Sequence, residues 1–287
     1  MNFFEFPGCD FRVGGFSLGG LETAVVIPEW RLAVDVGRGR RELNRCDHIA
    51  LTHTHMDHAG GLPYVLATRK LLRMPPPTVY VPAQMADELR DMLTAWGKLQ
   101  RFEMHYELVE AEAGVSYPLR GDKYLVPFRT HHPVPSMGYT VVREVKKLKE
   151  EFHGLEGPEI ARRRKAGEEV TRTETEPLFS VSGDTLPEAL DNNPEVMDSR
   201  VVIFECTFLT DDKPYQACRD GGHTHLKDLM ERSAELTCDN LMLSHFSQIH
   251  RWEDVPSLLA PLAERISGDL YAFPTTPEDT VVGPIGG

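Results

Sequence analysis

The stretch Leu51-Thr52-His53-Thr54-His55-Met56-Asp57-His58-Ala59-Gly60-Gly61-Leu62 decides the reading of this chain. An apolar strand, His48–Thr52, runs into three histidines and one aspartate within six positions, and two glycines lead into a helix expected over Gly61–Leu72. Imidazole nitrogen and carboxylate oxygen are the donors that borderline cations such as Zn²⁺ prefer. His53 and His55 stand two apart, so in extended backbone both side chains leave on the same side. Asp57 and His58 are adjacent, and in a loop they point at a neighbouring position. One loop can thereby serve two metal ions. A histidine-rich surface loop is the plain alternative, but it leaves the burial of the preceding strand unexplained.

Working outward, further donors recur at expected strand ends. Thr130-His131-His132-Pro133-Val134-Pro135-Ser136-Met137-Gly138-Tyr139 follows a strand at Lys123–Arg129. Asp184 closes the strand Leu178–Ser182, and His245 closes Leu241–Leu243. One such residue alone is more often structural; their common placement at strand ends makes them a set. Either His131 or His132 fits that pattern. Other strands are expected at Ala24–Ile27, Arg31–Val36, Thr78–Val81, Tyr139–Val142 and Val201–Glu205, with helices at Ala83–Trp96 and Thr224–Leu236. Gly14, Gly15, Gly19 and Gly20 read as turns. Residues 143–176, rich in Lys, Arg and Glu, read as an exposed helical excursion. Strands and helices alternate, which fits layered α/β packing.

Composition bounds the function. A chain of 287 residues with 41% hydrophobic content buries one large core or two modest ones. A net charge of -13 repels phosphate backbones, so a dedicated nucleic-acid binder is disfavoured, while an enzyme acting on nucleic acid is not. Five cysteines without a CxxC pair argue against a disulfide framework and point to a reducing, cytoplasmic setting. The start, MNFFEFPGCDF, lacks a secretory pattern, and no apolar run is long enough to cross a bilayer, so no membrane partner is expected.

The HxHxDH pattern at His53–His58, with Gly60-Gly61 behind it, resembles the signature of the metallo-β-lactamase superfamily. That resemblance implies an αββα sandwich: two facing mixed β-sheets with helices on the outer faces. Residues 1–287 would form a single domain with a charged insertion at about 143–177. It also implies two divalent metal ions, with His53, His55 and His132 on the first, Asp57, His58 and His245 on the second, and Asp184 bridging. The family pattern favours His132 over His131, because Gly138-Tyr139 falls where a Gly-Tyr pair is expected. Aspartate rather than cysteine at the bridging position speaks against a true β-lactamase. His55 stands where the diiron flavoproteins carry Glu, which favours zinc, with Mn²⁺ or Fe²⁺ as alternatives.

Within the superfamily the chain resembles the ribonuclease Z branch, from about Ala33 to Arg251. Phe204-Glu205-Cys206-Thr207-Phe208 is similar to its Glu-Ala-Thr element, and Gly222-His223-Thr224-His225 to its Gly-His-Ser-Thr element. The resemblance implies catalytic roles for Asp57, Glu205 and His223 in phosphodiester hydrolysis, a tRNA or other RNA substrate, and a homodimer. The plainer role for Glu205 and His223 is to fix the tautomer of a ligand histidine, and His225 competes with His223. Some features depart from the family: Asp35-Val36-Gly37-Arg38-Gly39 matches its early turn only in part, and no Pro…Asn loop is evident. Residues 143–176 take the place of its tRNA-binding arm but are short, and glutamates offset Lys146, Lys147, Lys149 and Arg162–Lys165. A hydrolase of a small ester, thioester or lactone, and a non-catalytic metal-stabilised binding protein, are the competing functions.

Overall fold

A computed structural model describes residues 1–286. The first half builds one sheet from β1 (Phe3–Glu5), β2 (Arg12–Gly19), β3 (Glu22–Ile27), β4 (Leu32–Val34), β5 (His48–Ala50), β6 (Thr78–Pro82) and β7 (Glu107–Ala111), side by side in chain order. The second half builds the facing sheet from β8 (Tyr117–Pro118), β9 (Lys123–Arg129), β10 (Met137–Leu148), β11 (Thr171–Val181), β12 (Val201–Glu205) and β13 (Asn240–Ser244). After β14 (Phe246–Ser247), which crosses back to pair with β2 of the first sheet, β15 (Asp269–Ala272) completes the second beside β13. Each sheet is antiparallel at one end and parallel at the other.

Parallel neighbours cannot be joined by a tight turn, so helices cover the parallel halves. On the first sheet these are α1 (Met56–Ala59), α2 (Leu62–Leu71) and α3 (Ala86–Gln100). On the excursion sits α4 (Gly157–Lys165). The second sheet carries α5 (Ala189–Asn192), α6 (Tyr215–Asp220), α7 (Leu226–Glu231) and α8 (Val255–Ala263). Strand side chains alternate between faces, and here both faces are apolar. Val25, Ile27, Tyr80, Val201, Ile203 and Met242 point between the sheets into one core. Their neighbours Val26, Val79 and Val81 pack under the helices of the first sheet. Val202, Phe204, Leu241 and Leu243 pack under those of the second. The architecture is the expected αββα sandwich.

Three expectations need correction. Gly14, Gly15 and Gly19 lie inside β2, not in turns. At Gly15, φ is +145° and a Cβ would come within 2.1 Å of the Ala24 oxygen, so close approach of β3 is what demands glycine there. The excursion is a two-stranded ribbon rather than a helix: β10 and β11 stay paired from Tyr139–Val181 out to Leu148–Thr171, with the short α4 near the tip. The alternating threonines of Thr171-Arg172-Thr173-Glu174-Thr175 favour strand, and Lys147 meets Glu174 across the ribbon at 2.6 Å. The helix expected over Thr224–Leu236 is only Leu226–Glu231 followed by one 3₁₀ turn.

Candidate metal centre

The donors gather at one edge of the sandwich, where strands from both sheets end. His53 follows β5, His132 follows β9, Asp184 follows β11, Glu205 ends β12 and His245 follows β13. Backbone geometry turns several of them inward. His55 occupies the N-cap position of α1, whose single turn carries Asp57 and His58. Gly183, before Asp184, has φ +61°, and a Cβ there would lie 2.6 Å from that of Thr52, so the Asp184 loop packs against the His53 loop only because it has none. His245 itself adopts φ +63°, a region that non-glycine residues seldom occupy and that functional sites often do.

Two groups result. In the first, His55 Nδ1 lies 3.0 Å from His53 Nε2 and 3.2 Å from His132 Nε2, while Asp184 Oδ2 is 3.7 Å from His53 Nε2. In the second, the Nε2 atoms of His58 and His245 lie 3.3 Å apart, with Asp57 Oδ2 3.6 Å from each. Asp184 spans both, since its Oδ1 is 3.3 Å from each Nε2 of the second group. The donor atoms of His53, His55, His132 and Asp184 fall within 4.8 Å of one another, as do those of Asp57, His58 and His245.

This set suits divalent cations. Imidazole nitrogens face one another at hydrogen-bond distance, and a single proton at His55 Nδ1 can serve only one of its two neighbours. Asp184 Oδ1 is buried without any hydrogen bond, an expensive state that a cation would relieve. The remaining ring nitrogens are already assigned. His58 Nδ1 donates to Asp35 Oδ2 at 2.7 Å, and His132 Nδ1 to the Gly222 carbonyl at 3.1 Å. His53 Nδ1 donates to Thr52 Oγ1 at 3.0 Å, whose hydroxyl donates on to Asp35 at 2.7 Å. His245 Nδ1 donates to Thr207 Oγ1 at 2.9 Å, whose hydroxyl donates on to Glu205 at 2.6 Å. In all four rings Nδ1 is therefore committed and Nε2 faces the cluster, the arrangement that metal ligation uses.

The electrostatics agree. Burial pushes His53 and His132 below the ordinary histidine range, keeping them neutral. Burial works against charge on His58 as well, but Asp184 and Asp35 outweigh it and hold its pKa well above normal. Burial would protonate Asp184 and Asp57; facing histidines, His245 and His58 among them, outweigh it and keep both carboxyls well below their usual range.

His223 stands at the rim, its ring 5.3 Å from that of His132 and 5.4 Å from that of His245. Its Nδ1 faces Glu205 Oε1 at 3.1 Å. Its donor atom also comes within 4.8 Å of those of Asp184 and His245, so distance alone would permit ligation. Glu205 is fully buried and also accepts from the backbone N–H groups of Thr185 and Thr207. Burial lowers the His223 pKa, but the Glu205 charge outweighs it and raises it to about 9. A nearby dication would push that value down again. Asp57 is held by the Gly20 N–H at 2.9 Å.

The two competing histidines lie elsewhere. His131 is exposed, its Nε2 3.0 Å from the Asn192 amide. His225, the competitor of His223, is buried: it caps α7 by accepting from Lys227 N, and Asp228 completes the capping box. Asp35, Thr52 and Thr207 are the polar groups around the site that sequence reading did not assign. Asp35 belongs to a turn that matches the family pattern only in part, and Thr207 to an element whose evident signal is its glutamate.

A family model described as "Anti-Pycsar protein Apyc1" matches residues 35–145. The chain is 31% identical to tRNase Z TRZ1 of Arabidopsis thaliana over 265 residues, 92% of this chain and 95% of the relative. Among solved structures it is similar to the metallo-β-lactamase fold protein YhfI of Bacillus subtilis, with TM-score 0.65, 16% identity, and coverage of 95% and 98%. It is also similar to the short form of human tRNase Z, with TM-score 0.56, 21% identity, and coverage of 83% and 93%.

Proposed function

The chain belongs to the ribonuclease Z family of the metallo-β-lactamase fold, and from that premise we propose that it is a di-zinc enzyme cleaving a phosphodiester of tRNA precursors or a related RNA. As a member it is a metal-dependent phosphodiesterase; the zinc, the residue roles and the RNA substrate are our reading. The observation that carries it is the Glu205–His223 pair set against two converging donor groups. A purely structural metal needs no such proton-holding pair beside it.

His53, His55 and His132 would hold one ion and Asp57, His58 and His245 the other, with Asp184 shared between them. The nitrogen-rich donor set favours zinc over magnesium or calcium. When bound, such a pair lowers the pKa of water and neutralises phosphoryl charge. Asp57, kept ionised, accepts a hydrogen bond from the attacking water and steers it. His223, held protonated by Glu205, donates to the leaving alkoxide or to a non-bridging oxygen. Glu205 accepts hydrogen bonds from Thr185, Thr207 and His223 together, so it cannot swing away and the imidazolium stays aimed at the centre.

The partners follow the same reading. We take the chain as one domain whose ribbon, carrying Arg164 and Lys165, meets the body of the RNA. A homodimer is supported by α3, whose outer face exposes Met92, Trp96 and Leu99 at helical spacing beside Tyr64 and Leu71 of α2. α3 begins with Asp87, Glu88 and Asp91 and ends with Lys98 and Arg101. A two-fold axis across it would lay acidic ends against basic ends. All five cysteines are free, which fits a cytoplasmic setting, and no helix among the described residues is long and apolar enough to cross a membrane.

The test is a substrate panel: bis-p-nitrophenyl phosphate and a tRNA precursor with a 3′ extension, against S-lactoylglutathione and an acyl lactone, with metal content measured alongside. Zinc at two per chain and cleavage of the two diesters is the expected result. Cleavage of only the thioester or lactone would defeat the reading. Sedimentation of the Trp96→Glu variant beside the parent tests the dimer.

A further inference from the structure

We infer that the groove beside His132 is a nucleotide subsite, with Arg129 binding a phosphate next to the scissile one; this rests on the phosphodiesterase reading above. The groove has a volume of 740 Å³, within the size range of small-molecule sites, and His132 is among its lining residues, so one end of it adjoins the candidate metal centre. Its other walls include Gln84, Arg129, Thr130, Pro133 and Pro135.

Its main wall is the segment that delivers His132, and that segment is held at both ends. Thr130 Oγ1 lies 2.6 Å from Ser136 Oγ across its neck. The His131 N–H donates to Thr185 Oγ1, and the His131 carbonyl accepts from Leu186 N. Pro133 and Pro135 fix two φ angles between these ties. A wall already ordered costs little further entropy when a ligand settles against it.

Arg129 supplies the charge. It ends β9, three residues before His132, so the two Cα atoms are at most about 11 Å apart. Its side chain is exposed, and it forms no ion pair within 4.0 Å among the described residues. Most other arginines in this acidic chain are paired: Arg12 with Glu29, Arg143 and Arg200 with Glu176, Arg219 with Glu188. Glu112 also lines the groove, from the end of β7, yet lies beyond ion-pair reach of Arg129. A lone guanidinium on a preformed groove that shares His132 with a phosphodiester-cleaving centre matches a phosphate by charge and by fork geometry. The proline faces offer apolar surface to a ribose or base, and the Gln84 amide can pair with a base edge.

The experiment compares the zinc enzyme with its Arg129→Gln and Arg129→Lys variants on two substrates. One is a short single-stranded RNA, which can reach the groove; the other is bis-p-nitrophenyl phosphate, which spans only the metal centre. The ratio of kcat/KM for RNA to that for the small diester should fall by roughly tenfold in Arg129→Gln, the worth of one charge-assisted contact. The slope of log kcat/KM for RNA against log salt should become shallower by about 0.7, one phosphate contact fewer. Arg129→Lys should keep the slope. An unchanged slope in Arg129→Gln, or equal losses on both substrates, would overturn the subsite. If the parent cleaves neither diester, the phosphodiesterase reading itself has failed, and the subsite falls with it.

Discussion

Replacing Asp35 by Asn should weaken one of the two metal sites about 30-fold while leaving the fold intact. Asp35 is fully buried and adopts φ +59°, a conformation Asn tolerates and Ala does not, so the amide isolates the chemistry from backbone strain. The carboxylate receives three hydrogen bonds: Thr52 N at 2.8 Å, Thr52 Oγ1 at 2.7 Å and His58 Nδ1 at 2.7 Å. In the variant the Asn oxygen still accepts from Thr52 N. Its NH₂ group now faces Thr52 Oγ1 and His58 Nδ1, and both must become acceptors. A His58 that accepts at Nδ1 carries its proton on Nε2, the atom that faces His245 and Asp184. Metal binding must then reverse the tautomer and forfeit a hydrogen bond to a charged group, about 2 kcal/mol. At 1.4 kcal/mol per decade that is about 30-fold, inside the ten- to hundredfold usual for partners of ligand histidines. Competition with a chromogenic chelator gives the two dissociation constants, and the one assigned to Asp57, His58 and His245 should move most, since His53 meets Asp35 only through Thr52. Two unchanged constants in Asp35→Asn would refute the role given to His58 Nε2.

Three further perturbations test other parts of the reading. His223→Ala should keep both metals and lower turnover of bis-p-nitrophenyl phosphate by on the order of a hundredfold, whereas His245→Ala should lose metal; metal loss in the former would make His223 a ligand. Gly183→Ala forces a β-carbon into Thr52 at a positive φ, so metal content should drop and the melting temperature fall, the strain alone being about 1–3 kcal/mol. For Asp47, burial favours the neutral acid, but hydrogen bonds from Arg31 and Arg69 outweigh it and leave its pKa below the usual 3.8. The stability it contributes is therefore present above pH 3.8 and lost as pH falls through the lower folded value, so acid unfolding of Asp47→Asn should show a shallower pH dependence there than the parent.

The sequence alone carried the donor inventory and the layered fold, because both are written in short-range patterns. Histidines two apart at a strand end share a side whatever the rest of the chain does, and strands apolar on both faces, such as Val201–Glu205, must be covered on both. The charge of the ribbon suggests a solvated helix, while its strand signal, the alternating Thr171, Thr173 and Thr175, acts only when a partner strand lies opposite. Tertiary structure alone settled three things. It turned His132 inward and His131 out to Asn192, a choice that rests on the Gly222 carbonyl ninety residues away accepting from Nδ1. It buried His225 as a helix cap. It also brought Asp35 and Thr207 against the cluster histidines His58 and His245, 23 and 38 residues off along the chain, where each engages Nδ1. A side chain's type and spacing limit which donors it can offer; which nitrogen it offers depends on the hydrogen bond made by the other, and that partner is supplied by the fold.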